Sequence, residues 1–183
     1  MDNLISKMVQ ETIELGAYGA GAVEIDKIVF DRGFRSLCES NACGNFDKCW
    51  TCPPDAGDID DLINKAKSFD GAIVYQTVRS LEDSYDFEGM MEAGSLHNVL
   101  AEKISAAFAS HNFAEVLHLG AGGCHVCEVC TKRQDEPCRY PERAMASLET
   151  YGVAVSQLAE TAGLKYINGQ NTVTYFGAYF YKK

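Results

Sequence analysis

Apolar residues recur at helical spacing near the start of the chain, where Ile5, Val9, Thr12 and Ile13 fall on one side of a predicted helix over 2–15. Gly16, Gly19 and Gly21 then act as breakers, and strand-like residues run from Ala22 to Phe30. Asp58 to Ile63 opens a second helix with acid in its first turn, where the free backbone N–H groups favour negative charge, and this helix stops near Asp70 and Gly71. Ala72 to Val78 is a short apolar run of branched and aromatic residues, the pattern of a buried strand. A long helix follows over 89–110, with Leu96, Leu100, Ile104, Ala107 and Phe108 on the face that would cover a sheet. Phe113 to Leu119 is the next strand, read as central. Helices are expected near 142–151 and 153–162, ended by Gly152 and Gly163, before a closing strand from Thr172 to Tyr181.

Strands alternating with helices predict an α/β or α+β fold with a four- or five-stranded sheet flanked by helices and two cysteine-rich metal-binding loops meeting over one edge or end. The length of 183 residues and an apolar fraction of 46% suit a single domain over residues 1–183 with a core that does not depend on metal. No low-complexity segment, linker or internal repeat divides it. The start, Met1-Asp2-Asn3, has neither a basic flank nor a long apolar run, so a soluble, cytoplasmic protein in a reducing or anaerobic setting is expected, without a membrane partner.

Charge narrows the partners. With 16 basic and 26 acidic residues the net charge is -10, which leaves phosphate repulsion uncompensated and argues against nucleic acid. A basic redox protein partner fits that charge, and Glu82 to Glu88 is the local acidic stretch for docking it, weighed against the plainer reading of a solvated loop.

The candidate chemistry lies in eight cysteines that form two groups, Cys38, Cys43, Cys49 and Cys52, then Cys124, Cys127, Cys130 and Cys138. With no leader to a secretory compartment they are read as thiolates for metal and not as disulfides. Cys124, Cys127 and Cys130 are spaced two residues apart twice, which suits three ligands around one iron-sulfur cube better than the separated pairs of a zinc site. Gly120-Ala121-Gly122-Gly123 runs directly into this triple and can offer backbone N–H groups to an anionic cluster. Cys138 follows between Pro137 and Arg139. The first group has looser spacing, with Asn41, Gly44 and Asn45 as loop formers and Pro53 blocking a helix after Cys52.

Trp50-Thr51-Cys52-Pro53-Pro54, Gly122-Gly123-Cys124 with Cys127 and Cys130, and Pro137-Cys138-Arg139-Tyr140-Pro141-Glu142 resemble the motifs of the predicted metal-binding family numbered 2284 among domains of unknown function. The likeness runs from about Ala22 to the C-terminus and includes Met145 to Val153. The resemblance implies a cysteine-rich metal centre of the iron-sulfur kind and no particular substrate. Cys49 departs from it, because a polar residue other than cysteine is expected before the tryptophan.

The leading expectation is therefore two 4Fe-4S clusters, one per cysteine group, in an electron-transfer protein. The alternatives are an enzyme whose cluster keeps an open iron, with Cys38, Cys43 and Cys52 holding the other three, and a zinc protein of structural or metal-trafficking type. A C-x2-C redox switch at Cys49 and Cys52 or at Cys127 and Cys130 is weighed below ligation. His118 and His125 are left outside the ligand set, Arg139 and Trp50 are read as a donor and a shield or as surface charge and packing, and His97 and His111 are read as surface. The spacing of radical S-adenosylmethionine enzymes and the dinucleotide and phosphate loops are absent.

Overall fold

The computed structural model describes residues 3–183. It is an α/β domain with a five-stranded mixed sheet, in the order β1-β2-β5-β3-β4, flanked by helices. The strands are β1 (Gly19–Glu24), β2 (Gly71–Ser80), β3 (Glu115–Gly120), β4 (Ala146–Ser147) and β5 (Thr172–Lys182). All pairings are antiparallel except β3 with β4. The helices are α1 (Asn3–Glu14), α2 (Phe34–Glu39), α3 (Ile59–Lys67), α4 (Phe87–Phe108) and α5 (Val155–Thr161).

Period-two alternation in β2 and β5 gives the sheet two buried faces. Ile73, Tyr75, Tyr179 and Tyr181 pack with residues of α1 and α4 such as Met8, Leu100, Ile104 and Phe108. Ala72, Val74, Ala178 and Phe180 pack on the other face with Leu62 and Ala66 of α3 and Leu158 of α5. Gly177 of β5 lies so close to the Tyr75 ring that a Cβ there would sit 2.3 Å from it, so a side chain at this position would displace the ring.

Several sequence expectations change. The predicted start of the first helix at residue 2 lies outside the described residues, and Ile13, expected inside, is exposed because Ile5, Met8 and Thr12 define the buried stripe. Gly19 and Gly21 are strand residues and not breakers. A Cβ at Gly21 would meet the Ala162 carbonyl oxygen at 2.3 Å, so β1 needs a bare backbone there to approach the chain after α5. The strand ends at Glu24, well before Phe30, in a 3-10 turn over Ile25–Lys27. α3 keeps the predicted acidic start, with Asp58 accepting from the Asp60 N–H at 2.8 Å. Asp86, from the acidic stretch, caps α4 by accepting from the Gly89 N–H at 2.8 Å.

The helix expected near 142–151 does not form. Leu148 N–H bonds to the Gly120 carbonyl at 3.0 Å, and the Ser147 hydroxyl takes the Thr150 N–H at 3.1 Å, so side chain and sheet capture groups a helix would need. The segment becomes β4 and a 3-10 turn over Glu149–Tyr151. The strand that leads into the cysteine triple, β3, lies between β5 and the two-residue β4, beside the sheet edge and not at its centre. Among the described residues no helix is long and apolar enough to cross a membrane.

Candidate functional site

The two cysteine loops dock on each other beyond the carboxyl end of β3. Trp50 Nε1 donates to the Glu136 carbonyl at 3.0 Å, and Lys132 lies 4.7 Å above the Trp50 ring while reaching Asp55 at 2.8 Å. Arg133 reaches the Gly44 carbonyl at 3.4 Å. Trp50 is thus a clamp between the loops. Arg139 pairs with exposed Glu136 at 3.8 Å, which is the surface-charge reading.

This docking divides the first cysteine group. Cys38 lies in the last turn of α2, half-buried, and Cys43 is exposed after the following turn. Cys49 and Cys52, at 3% and 9% exposure, are buried. Cys49 lines one small pocket with Cys124, Cys127, Cys130 and Cys138, all half-buried. The enclosed space is about 20 Å³, room for roughly one water molecule. The sequence departure at Cys49 therefore places a first-group thiol against the second group.

Cys49 is held as an acceptor. The Cys52 thiol donates toward it, the Thr51 hydroxyl lies 3.4 Å from its sulfur, and the backbone N–H groups of Thr51 and Cys124 also face it. Together these donors, Cys52 foremost, outweigh burial and hold the Cys49 thiol well below the usual thiol range. The donor role and burial push Cys52 in the opposite direction. Burial raises Cys124 and Cys38, and the negative charge of Cys43 adds to the rise at Cys38. The Gly120–Gly123 run delivers the Cys124 N–H to a sulfur, as the glycines suggested, but the recipient is Cys49.

Ligation as read from the sequence is corrected here. Among the described residues no group of three or more His, Cys, Asp or Glu side chains is placed to hold a metal ion. That finding overturns two 4Fe-4S clusters held by the two four-cysteine groups, and with them the open-iron and zinc alternatives, the cysteine-rich metal-binding loops and the cluster-based electron transfer. Spacing along a chain fixes which thiols are near in sequence. The loop docking then sets Cys49 against Cys124 in one pocket and engages its sulfur with protein donors.

The histidines are also redistributed. His97, expected at the surface, is 1% exposed, stacked on Tyr75 with ring centres 5.4 Å apart and bonded through Nδ1 to Thr77 Oγ1 at 2.9 Å. Burial pushes it down to about 4. His111 is partly buried between Phe108 and Phe113. His118 is half-buried and bonded at both ring nitrogens, to Ser105 and to Tyr75. His125 stands beside Gly122. Ser105 and Tyr75 carried no motif in the sequence; the histidine interrupting an apolar strand was the only signal for that cluster.

No curated protein and no solved structure matches the chain. The description of the matching family concerns metal, and among the described residues the cysteine side chains are not placed to hold an ion. Residues 21–180 match the family described as predicted metal-binding protein (DUF2284), and the chain belongs to that family.

Proposed function

We propose that this is a dithiol redox protein in which Cys49 and Cys52 alternate between a thiolate–thiol pair and a disulfide. The observation that carries the reading is the setting of the Cys49 sulfur, buried and faced by the Cys52 thiol, the Thr51 hydroxyl and the Cys124 N–H. A nucleophilic thiol with a second thiol poised beside it is what disulfide exchange requires.

Because Cys49 is buried, exchange enters through the half-buried cysteines that line the same pocket, with Cys124 next to Cys49. The Cys124 thiol, losing its proton, attacks an external disulfide R–S–S–R′, forming Cys124–S–S–R and releasing R′–S⁻, which takes up that proton. Cys49 attacks the Cys124 sulfur and releases R–S⁻. Cys52, losing its proton, then attacks the Cys49 sulfur, giving the Cys49–Cys52 disulfide and restoring Cys124. Two thiols are oxidised and one external disulfide is reduced, a two-electron exchange. A redox protein carrying an accessible disulfide, in a reducing cytoplasm, is the partner in this reading, and the net charge of -10 supports a basic one.

The test is to equilibrate the full chain in dithiothreitol and glutathione buffers of graded potential without oxygen, trap free thiols by alkylation, and map the products by mass spectrometry. A Cys49–Cys52 disulfide that forms in one two-electron transition, and is lost in Cys49→Ser, is expected. Alkylation of both residues at every potential overturns the proposal.

A further inference from the structure

A second site lies on the other side of the segment that walls the thiol pocket. Helix α4 presents Glu102, Ser105 and Ala106 along one face at spacings of three and four, with Ala109 just beyond its end. Opposite stand His118 of β3 and Arg143, and the cleft between them is about 600 Å³, within the range of small-molecule sites. Ser105 Oγ is 2.7 Å from His118 Nδ1, and His118 Nε2 is 2.8 Å from the Tyr75 hydroxyl.

The direction of these bonds follows from what Tyr75 can reach. Burial, with the neighbouring His97 adding to it, pushes His118 down to about 3, so the ring is neutral with one N–H and one acceptor nitrogen. Were the hydrogen on Nε2, it would donate to Tyr75, whose own hydroxyl hydrogen would be left without an acceptor: His118 is its only hydrogen-bond partner among the described residues. An unpaired buried O–H disfavours that arrangement by a factor of about ten to a hundred. Tyr75 therefore donates to Nε2, and Nδ1–H donates to Ser105 Oγ. The Ser105 hydrogen is then free, and the cleft is where an acceptor can meet it. A chain of three donors, each polarising the next, ends at that hydrogen.

The remaining groups define the ligand. Arg143 bonds Glu102 at 2.6 Å, and Glu142 also lines the cleft. Two carboxylates against one guanidinium disfavour a simple anion, while a simple amine leaves the Ser105 donor unused. Val116 and Met145 supply apolar wall. We propose that this cleft binds a small zwitterion of the amino-acid class with an apolar side chain. Its carboxylate accepts from Ser105 and Arg143, its ammonium faces Glu102 and Glu142, and its side chain rests on Val116 and Met145. This reading is independent of the redox proposal.

The test is calorimetric titration of the full chain with L-leucine, with 4-methylpentanoate, which lacks the ammonium, and with 3-methylbutylamine, which lacks the carboxylate. Saturable binding of L-leucine is expected, with both analogues at least about tenfold weaker. Ser105→Ala is expected to weaken L-leucine by about ten- to a hundredfold, the range for a hydrogen bond to a charged group. Arg143→Gln, at the exposed rim where folding is not at issue, is expected to weaken it in the same direction, and Cys49→Ser to leave it unchanged. Absence of saturable L-leucine binding, an analogue binding as tightly as L-leucine, or unchanged affinity in folded Ser105→Ala or in Arg143→Gln overturns the proposal.

Discussion

The two faces of the sheet are built from the same strands and differ in what they bury. Toward α3 and α5 the centre is hydrocarbon, with Ala72, Val74, Ala178 and Phe180 against Leu62, Phe69 and Leu158. Toward α1 and α4 the centre carries phenols and imidazoles, with Tyr75 and Tyr179 against His97 and His118. Hydrocarbon packing stabilises without regard to pH or partner, whereas a buried polar group is tolerated only while its hydrogen bonds are made. The apolar face holds the fold together. The polar face holds a hydrogen-bond chain whose outer end reaches a cleft.

The largest effect expected from breaking this contrast is on the apolar face. Phe180→Ala removes a fully buried ring that meets Phe69 edge-on at 6.1 Å, and a loss of about 3–5 kcal/mol is expected in urea unfolding, unchanged between pH 5 and pH 8. An acid titration of stability sharpens the other side. His97 is held at about 4 and His118 at about 3, against an ordinary 6.5, so between 6.5 and about 4 the unfolded chain binds protons that the folded chain refuses. Stability is therefore full above 6.5 and falls as pH decreases through that window, by roughly 3 kcal/mol for His97 alone. A flat unfolding midpoint from pH 7 to pH 4 would contradict the polar face as described.

Tyr75→Phe keeps the ring and removes only the hydroxyl that serves His118 Nε2, so the expected cost is smaller, about 1–3 kcal/mol by the same unfolding measurement. The smallest effect belongs to Arg143→Gln. Its pair with Glu102 is exposed at both ends, and the unfolding midpoint is expected to stay within experimental scatter even as ligand binding in the cleft weakens.

Much of the architecture was legible because it rests on local periodicity. The run from Ala72 to Val78 reads as a buried strand and is the core of β2, and the terminal Thr172 to Tyr181 is β5 to within a residue. The acidic start of α3 and the glycine after α5 were equally local signals. The long helix was found, and its buried stripe in part: Leu100, Ile104 and Phe108 are inward as expected. Leu96 is exposed and His97 is buried, because the helix lies across β2 and β5 with Ala93, His97, Leu100 and Ile104 inward. The short elements failed for the opposite reason. β4 and the 3-10 turn after it depend on the bond from Leu148 N–H to the Gly120 carbonyl, 28 residues away, a contact that no short window of sequence contains.

The chemistry followed the same division. Residue type and spacing by themselves marked the eight cysteines, the glycine run before Cys124 and the oddity of Cys49, and carried the family. They could not determine which sulfurs face one another, since a loop between two cysteines can close in many ways and its neighbours select one. Tertiary structure turned Cys49 toward Cys124, made Cys52 its donor and left no three ligands together for an ion among the described residues. It also joined Tyr75, Ser105 and His118, from β2, α4 and β3, into one hydrogen-bond chain. Periodicity is a property of neighbours along the chain and was fixed before folding; a site is a property of neighbours in space, and only packing brought these residues together.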